Sequence, residues 1–491
     1  MDDDQAGAAP DLTTKAARGF LWALVGFVFV QLGSFATYTV ASNILGAERT
    51  GLVGALLTVV FWIDVFLDTG LGASVVYEQE AGQSDRIKVA FTMTTAMTMV
   101  ATLAVFLGAP LVAGFFGASD QTNLFRLVAL VVAFKGMNQI PAAILRRDMD
   151  FRKSMSVSIA ASVSRFTVAV ALLETGHGVA GMLLGVVASE AVGTGLTWIL
   201  VRFRPAVRFE KAVAGEMFRY GLPVFGSTLL GMLWLNGDYL VIGSRYGAES
   251  KEYGNYYTAF RLPELVLGSF YNIFSTIAFP MYSAARGLGP EKLRQASLRS
   301  LRLLCLVGFS AGIGMSVVAR DFLHTFFPKF EEAVAPMEIL SIAGGFVGIG
   351  FASGDLFNAV GKPKLGLLFN LIGTPILIGG FLIAAPHGIV AVAMVHLVVM
   401  VPYSFIRIEV ANRLIGTTWA ESIRALTPAA AAVAGILVCA LPIRLLVGPG
   451  ALTMLAIVGA GLVGAVLGVL LGGGDTVQEL KGLILKTQGQ G

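Results

Sequence analysis

Residues 124–173 read LFRLVALVVAFKGMNQIPAAILRRDMDFRKSMSVSIAASVSRFTVAVALL. Two apolar runs, about 124–145 and 154–173, flank a turn crowded with Arg146, Arg147, Arg152 and Lys153. The hydrocarbon core of a bilayer is about 30 Å thick, and a helix needs roughly 20 apolar residues to cross it with every backbone group paired internally. Each run has that length, so the segment reads as a crossing, a basic turn and a return. Each run also carries one cation near its middle, Lys135 and Arg165, where a charge costs a few kcal/mol to insert.

The same test along the chain gives about fourteen spans. They run approximately 18–45, 51–77, 88–116, 124–145, 154–173 and 178–201, then 217–243, 253–282, 298–319, 334–360, 364–385 and 388–411, and finally 421–442 and 449–471. Of 491 residues, 56% are hydrophobic and 13% charged, about half the charged share of a soluble protein. A water-soluble enzyme of this size is excluded. The net charge of +4 is spread through apolar sequence rather than clustered on one face, so no nucleic-acid partner is expected. Met1-Asp2-Asp3-Asp4 gives an acidic start, and the first apolar run is too long for a secretion signal, so the first helix is expected to stay in the mature protein. Cys305 and Cys439 are far apart in apolar runs, which predicts buried thiols and neither a disulfide framework nor a metal site.

Lysine and arginine concentrate in alternate connections. With the N-terminus inside, inner segments hold 25 of the 35 and outer segments seven, the excess that cytoplasmic loops keep. Both termini are therefore expected in the cytoplasm, which requires an even number of spans.

The chain also repeats itself. Displaced by 201 residues, Arg18 falls on Arg219 and Gly46-Ala47-Glu48 on Gly247-Ala248-Glu249. Displaced by 210, His177-Gly178-Val179 falls on His387-Gly388-Ile389 and Arg152 on Lys362, and the nine extra residues fit the connection from Arg320 to Val334. Two copies in one order, starting on one side, predict two parallel six-helix lobes related by an axis along the membrane normal. The expected fold is an all-α integral membrane protein of about 14 transmembrane helices. Its parts are a cytoplasmic tail 1–17, a first lobe 18–201, a cytoplasmic linker 202–216, a second lobe 217–411, two additional helices in 421–471 and a cytoplasmic tail 472–491. Within that last tail, 477–486 has the pattern of a surface helix.

Several strings carry a resemblance. Phe66-Leu67-Asp68-Thr69-Gly70-Leu71-Gly72 with Ser74-Val75-Val76, the turn from Leu145 to Lys153, Gly237-Asp238-Tyr239-Leu240-Val241-Ile242-Gly243, and Phe279-Pro280-Met281-Tyr282-Ser283 resemble the polysaccharide transporter (oligosaccharide flippase) branch of the multidrug/oligosaccharidyl-lipid/polysaccharide exporter superfamily. The likeness covers about residues 15–470 and lies in the order of elements rather than in one motif. It implies a bacterial cytoplasmic-membrane flippase, with two lobes around a central cavity that opens to either side in turn. Its cargo would be an undecaprenyl-pyrophosphate-linked oligosaccharide bound for O-antigen, capsule or exopolysaccharide. The partners implied are that lipid-linked substrate, the bilayer, and polysaccharide polymerase and export machinery. No cofactor is implied; the drug exporters of the superfamily are driven by sodium or protons, and the resemblance leaves coupling to a proton or sodium gradient open for the sugar-lipid branch.

On these spans the intramembrane cations are Lys135, Arg165 and Arg261. A pyrophosphate group needs fixed positive charge in place of its hydration, and arginine's planar fork matches phosphate oxygens, so these three are candidate substrate contacts. Arg18 and Arg219, at corresponding helix starts, are candidates for a cytoplasmic entrance. The competing reading pairs each cation with an acid on a neighbouring helix or lets it reach an interface.

Among the acids, Asp64, Asp68, Glu190 and Asp355 are candidates for ion coupling or gating. Asp64 and Asp68 are four apart and share a helix face; Asp355 is also a possible partner of Arg261 or Lys135. Arg261 and Glu264, three apart around Pro263, have the spacing of an internal ion pair, and Asp238 lies in the span 217–243. Glycine pairs 344/348, 350/354 and 464/468 read as helix-packing faces. Pro141 is one of several prolines expected inside spans, where neighbours must satisfy the carbonyls they free.

A cation-coupled multidrug exporter of the same superfamily favours an acidic cavity, against which the three cations argue, and a lipid-linked peptidoglycan precursor flippase is a further transport reading. A membrane glycan polymerase or ligase needs a catalytic constellation and a large outer loop. The sequence has no HExxH string and no GxxxxGK[ST] loop.

Overall fold

A computed structural model describes residues 8–67, 83–148 and 150–472, and among them there is no strand. The first helical stretch, Ala8–Leu67, breaks at Gly46, where φ 75° and ψ 177° leave the helical region. Glycine, with no Cβ, holds such a conformation at little cost. The arm before Gly46 is α1 and the arm after it α2. There follow α3 (Gln83–Phe115), α4 (Thr122–Arg147), α5 (Phe151–Glu174), α6 (Gly178–Val201), α7 (Lys211–Tyr246) and α8 (Lys251–Gly287). The chain continues as α9 (Pro290–Phe326), α10 (Val334–Ala359), α11 (Pro363–Ala384), α12 (Ile389–Ile415), α13 (Trp419–Leu446) and α14 (Ala451–Gly472). Twelve stretches of the described residues are long and apolar enough to cross a bilayer, the first containing the Gly46 bend. The chain is a multi-pass membrane protein.

Its exposed surface agrees. Along α3, Met99, Val100, Leu103, Leu107 and Leu111 face outward, as do Leu452, Leu455, Leu462 and Leu470 of α14. Large apolar side chains in an unbroken outward row suit lipid tails and would be a liability in water.

By packing, residues 1–254 form one compact unit and residues 255–491 another. The copies announced by the repeated strings share backbone detail. Gly46 and Gly247 both take positive φ, 75° and 84°, and Ala118 and Phe330 both have φ −123° and ψ 45° before a short 3-10 turn.

The connection expected from Arg320 to Val334 is shorter than that, because Arg320 to Phe326 is the end of α9 rather than loop. The last turns of α9 are held by the added helices: the Gly450 N–H, just before α14, donates to Asp321 Oδ1 at 3.3 Å, and Arg320 Nη2 donates to the Arg444 carbonyl at 2.8 Å.

Small residues set the helix spacing. A Cβ on Gly185 of α6 would lie 2.6 Å from Ala169 Cβ and 2.9 Å from the Arg165 carbonyl, so α5 and α6 touch backbone to backbone beside Arg165. In the first unit, a Cβ on Gly51 would lie 2.4 Å from the Ala248 carbonyl oxygen and one on Gly254 only 1.9 Å from that of Ala47. The two repeated Gly-Ala-Glu elbows thus lie against each other, each glycine admitting the other's alanine carbonyl. Of the glycines read as packing faces, 344, 348, 464 and 468 abut neighbouring helices, Gly354 abuts Arg407, and Gly350 faces open space.

Candidate functional site

The first unit gathers four of the expected charges. Lys135 Nζ on α4 donates to Asp64 Oδ2 on α2 at 2.6 Å. The two side chains keep 28% and 33% exposure, so the pair is reachable from open space rather than sealed in the core. Glu190 on α6 feels the charges of Lys135, Asp64 and Arg165, and Arg165 on α5 shares the close α5–α6 contact. Two cations and two carboxylates from four helices form one balanced cluster.

The local sequence explains how α4 presents Lys135. Pro141 has no N–H to give the Met137 carbonyl four residues earlier; Trp198 Nε1 of α6 donates to that carbonyl at 3.1 Å instead. One turn back, Thr194 Oγ1 donates to the Phe134 carbonyl at 3.0 Å. These bonds clamp α6 to α4 on both sides of Lys135. Gly136 lets α4 settle on α3, since a Cβ there would lie 2.0 Å from Thr98 Oγ1.

After Lys135 the α4–α5 turn closes with its own cap. Asp150 accepts from the Lys153 N–H at 3.1 Å and pairs with Lys153 Nζ at 2.8 Å. The Lys153 side chain, then its backbone N–H, hold the Asp150 carboxyl below its ordinary range.

In the second unit, Arg261 Nη1 meets Glu264 Oε2 at 2.8 Å, the ion pair the spacing predicted. Asp355 on α10 is buried; Ser275 Oγ of α8 donates to its Oδ1 at 2.8 Å, while its Oδ2 makes no hydrogen bond. Neither cation proposed as its partner from sequence is within ion-pair distance: Lys135 takes Asp64 and Arg261 takes Glu264. Asp238 is fully buried and accepts from the Tyr239 N–H. Asp68 and the side chains of Arg18 and Arg219 lie outside the described residues, as does the 477–486 segment. No group of three His, Cys, Asp or Glu among the described residues is placed to hold a metal.

One charge was missed. Arg407, not among the intramembrane cations expected from sequence, is inside α12 and 7% exposed. Its Nε donates to Ser353 Oγ at 2.7 Å and its Nη2 to the Gly350 carbonyl at 2.9 Å, both on α10. The expected span 388–411 already enclosed it, four residues or about one turn from its end, and α12 runs on to Ile415, which places it more than two turns inside.

These elements define a class of multi-pass, all-helical membrane fold. The fold matches solved structures of the lipid II flippase MurJ in an inward closed conformation, with TM-score 0.73, 12% identity and coverage of 93% of this chain and 98% of that one. It also matches an inward-facing multidrug resistance MATE family transporter of the MOP superfamily, with TM-score 0.65, 14% identity and coverage of 80% and 98%. Within that class, residues 40–335 match the family described as polysaccharide biosynthesis protein, and the chain belongs to it. Similar curated proteins are the lipopolysaccharide biosynthesis protein WzxC of Escherichia coli (strain K12), 22% identical over 75% of this chain and 76% of that one, and the teichuronic acid biosynthesis protein TuaB of Bacillus subtilis (strain 168), 23% identical over 80% and 81%.

Proposed function

We propose that this protein flips undecaprenyl-pyrophosphate-linked oligosaccharide units from the cytoplasmic to the periplasmic leaflet of a bacterial inner membrane, by alternating access, for assembly of a surface polysaccharide. The observation that carries the reading is the cluster of Lys135, Arg165, Asp64 and Glu190. It puts Lys135 in an ion pair with Asp64, both about a third exposed, with Arg165 and Glu190 close enough for their charges to act on one another. A pyrophosphate entering the cluster would compete with those carboxylates for the cations, and a carboxylate so released can take a proton. Substrate entry and ion uptake are then two halves of one exchange. Family membership and the polysaccharide names of its relatives support the cargo class.

Lysine and arginine asymmetry supports cytoplasmic termini, with the Arg146–Lys153 turn on that side. A glycan polymerase and export machinery are the proposed downstream partners.

The test is deletion of the gene followed by mass spectrometry of lipid-linked sugars with a leaflet-accessibility assay. Build-up on the cytoplasmic side, reversed by the wild-type gene and not by Arg165→Ala, is the expected result. Absence of any build-up together with changed drug sensitivity would favour a multidrug exporter instead.

A further inference from the structure

Arg407 is the most buried cation among the described residues for which every partner is neutral. Its nitrogens meet the Ser353 hydroxyl and the Gly350 carbonyl. Its guanidinium carbon lies 5.7 Å from the Phe357 ring centre, 5.0 Å from Phe369 and 5.6 Å from Tyr403. No carboxylate of the described residues is within ion-pair distance of it. Hydroxyl, carbonyl and aromatic faces orient a guanidinium and soften its desolvation, but they leave a full charge uncompensated in an apolar unit. Such a charge is ordinarily paired or functional.

Two more cations stand on the same side of these helices. Lys362 and Lys364 bracket Pro363 at the start of α11, exposed and with no carboxylate of the described residues in ion-pair distance. Phe369, the ring nearest Arg407, is five residues into α11 from Lys364, a rise of about 7.5 Å. An apolar spanning helix begins at the level of the lipid head groups. The α10–α11–α12 corner therefore offers two lysines at head-group depth and an arginine roughly one and a half turns deeper.

We propose that this corner binds a lipid-borne phosphate group, with Lys362 and Lys364 at its rim and Arg407 supplying the buried charge. Phosphate fits because it is the anion present at that depth, and an arginine fork with two lysines matches its several oxygens. The site is built from residues of the second unit alone. It does not rest on the transport reading, so its failure would leave that reading untouched.

The experiment is native mass spectrometry of the purified full-length protein titrated with phosphatidylglycerol, with undecaprenyl pyrophosphate, and with diacylglycerol as the phosphate-free control. Arg407→Gln, which keeps donors for Ser353 and Gly350, is expected to bind at least one phosphate lipid about tenfold more weakly with diacylglycerol unchanged, and Arg407→Lys to lose less. Loss for phosphatidylglycerol alone assigns the site to a membrane lipid; loss for the pyrophosphate alone assigns it to the cargo. Wild-type affinity of Arg407→Gln for both would overturn the proposal and leave Arg407 a tie between α10 and α12. Should Arg407→Gln not fold, the double variant Lys362→Gln, Lys364→Gln decides: a threefold or greater loss supports the site, and no change overturns it.

Discussion

Lys135 of α4 and Asp64 of α2 meet at 2.6 Å although 71 residues separate them. Removing one partner strands the other charge among apolar helices. A fully buried pair loses about 3–5 kcal/mol in that way; with 28% and 33% exposure the expected cost here is about 1–3 kcal/mol. Lys135→Ala should therefore lower the thermal midpoint in detergent, and adding Asp64→Asn, which removes the stranded charge, should restore most of it. Transport should stay impaired in the double variant if Lys135 contacts cargo. Recovery of transport along with stability would make the pair purely structural.

Arg165 can be separated from its surroundings in the same manner. Its backbone is fixed by the close α5–α6 contact at Gly185, so truncating the side chain leaves the helices in place. Arg165→Ala is expected to insert normally and to cut flipping tenfold or more, with Arg165→Lys intermediate because the ammonium keeps the charge without the planar fork. Quantitative immunoblotting beside the leaflet assay checks both halves, and full activity of Arg165→Ala removes it from the mechanism.

What was legible follows the range of the physics. Apolar length and the basic turn at 146–153 act locally, so helix existence could be read directly, as could the Arg261–Glu264 pair, which needs only one helix. The Lys135–Asp64 pair depends on how α2 and α4 rotate against each other, which packing sets; sequence supplied both residues but not the partnership. The clamp of Thr194 and Trp198 was hidden because its acceptors are backbone carbonyls. Arg407 was misplaced because nearby Arg413 and Arg424 made it look like one more loop cation. The extension of α9 through Phe326 depends on contacts from α13 and α14, far along the chain.

The crossed elbows at Gly51 and Gly254 give a packing prediction. A methyl at Gly254 would lie 1.9 Å from the Ala47 carbonyl, against backbone that cannot turn aside. Gly254→Ala is expected to cost about 1–3 kcal/mol or more as overpacking, read as a lower thermal midpoint. Gly350→Ala, where a Cβ meets nothing within 4 Å, is the control and should be near neutral. Equal midpoints for the two would contradict the close approach.

Asp150 links stability to pH. Its carboxylate caps α5, and losing such a cap costs about 1 kcal/mol. Because Lys153 holds its folded pKa below the ordinary value, the contribution is present above the ordinary carboxylate range and fades as pH falls through the folded value. The midpoint gap between wild type and Asp150→Ala should be constant near neutrality and shrink in acid. A gap that widened in acid would reverse the sign of this linkage.

Asp355 is the remaining acid with an unused oxygen. Ser275 occupies Oδ1, Oδ2 has no hydrogen bond, and no cation of the described residues is in ion-pair distance. A carboxyl group so placed inside a spanning helix can receive a proton or a sodium ion without breaking an ion pair, unlike Asp64, whose pair must open first. Asp355→Asn preserves the size of the side chain and an acceptor for Ser275 while abolishing ion uptake. If Asp355 couples transport to an ion, flipping by this variant in proteoliposomes should no longer respond to an imposed proton or sodium gradient, whereas Ser275→Ala should keep the response with altered ion affinity. An undiminished response in Asp355→Asn would move the coupling site to the other unit, where Glu190 and Asp64 are the acids to test next.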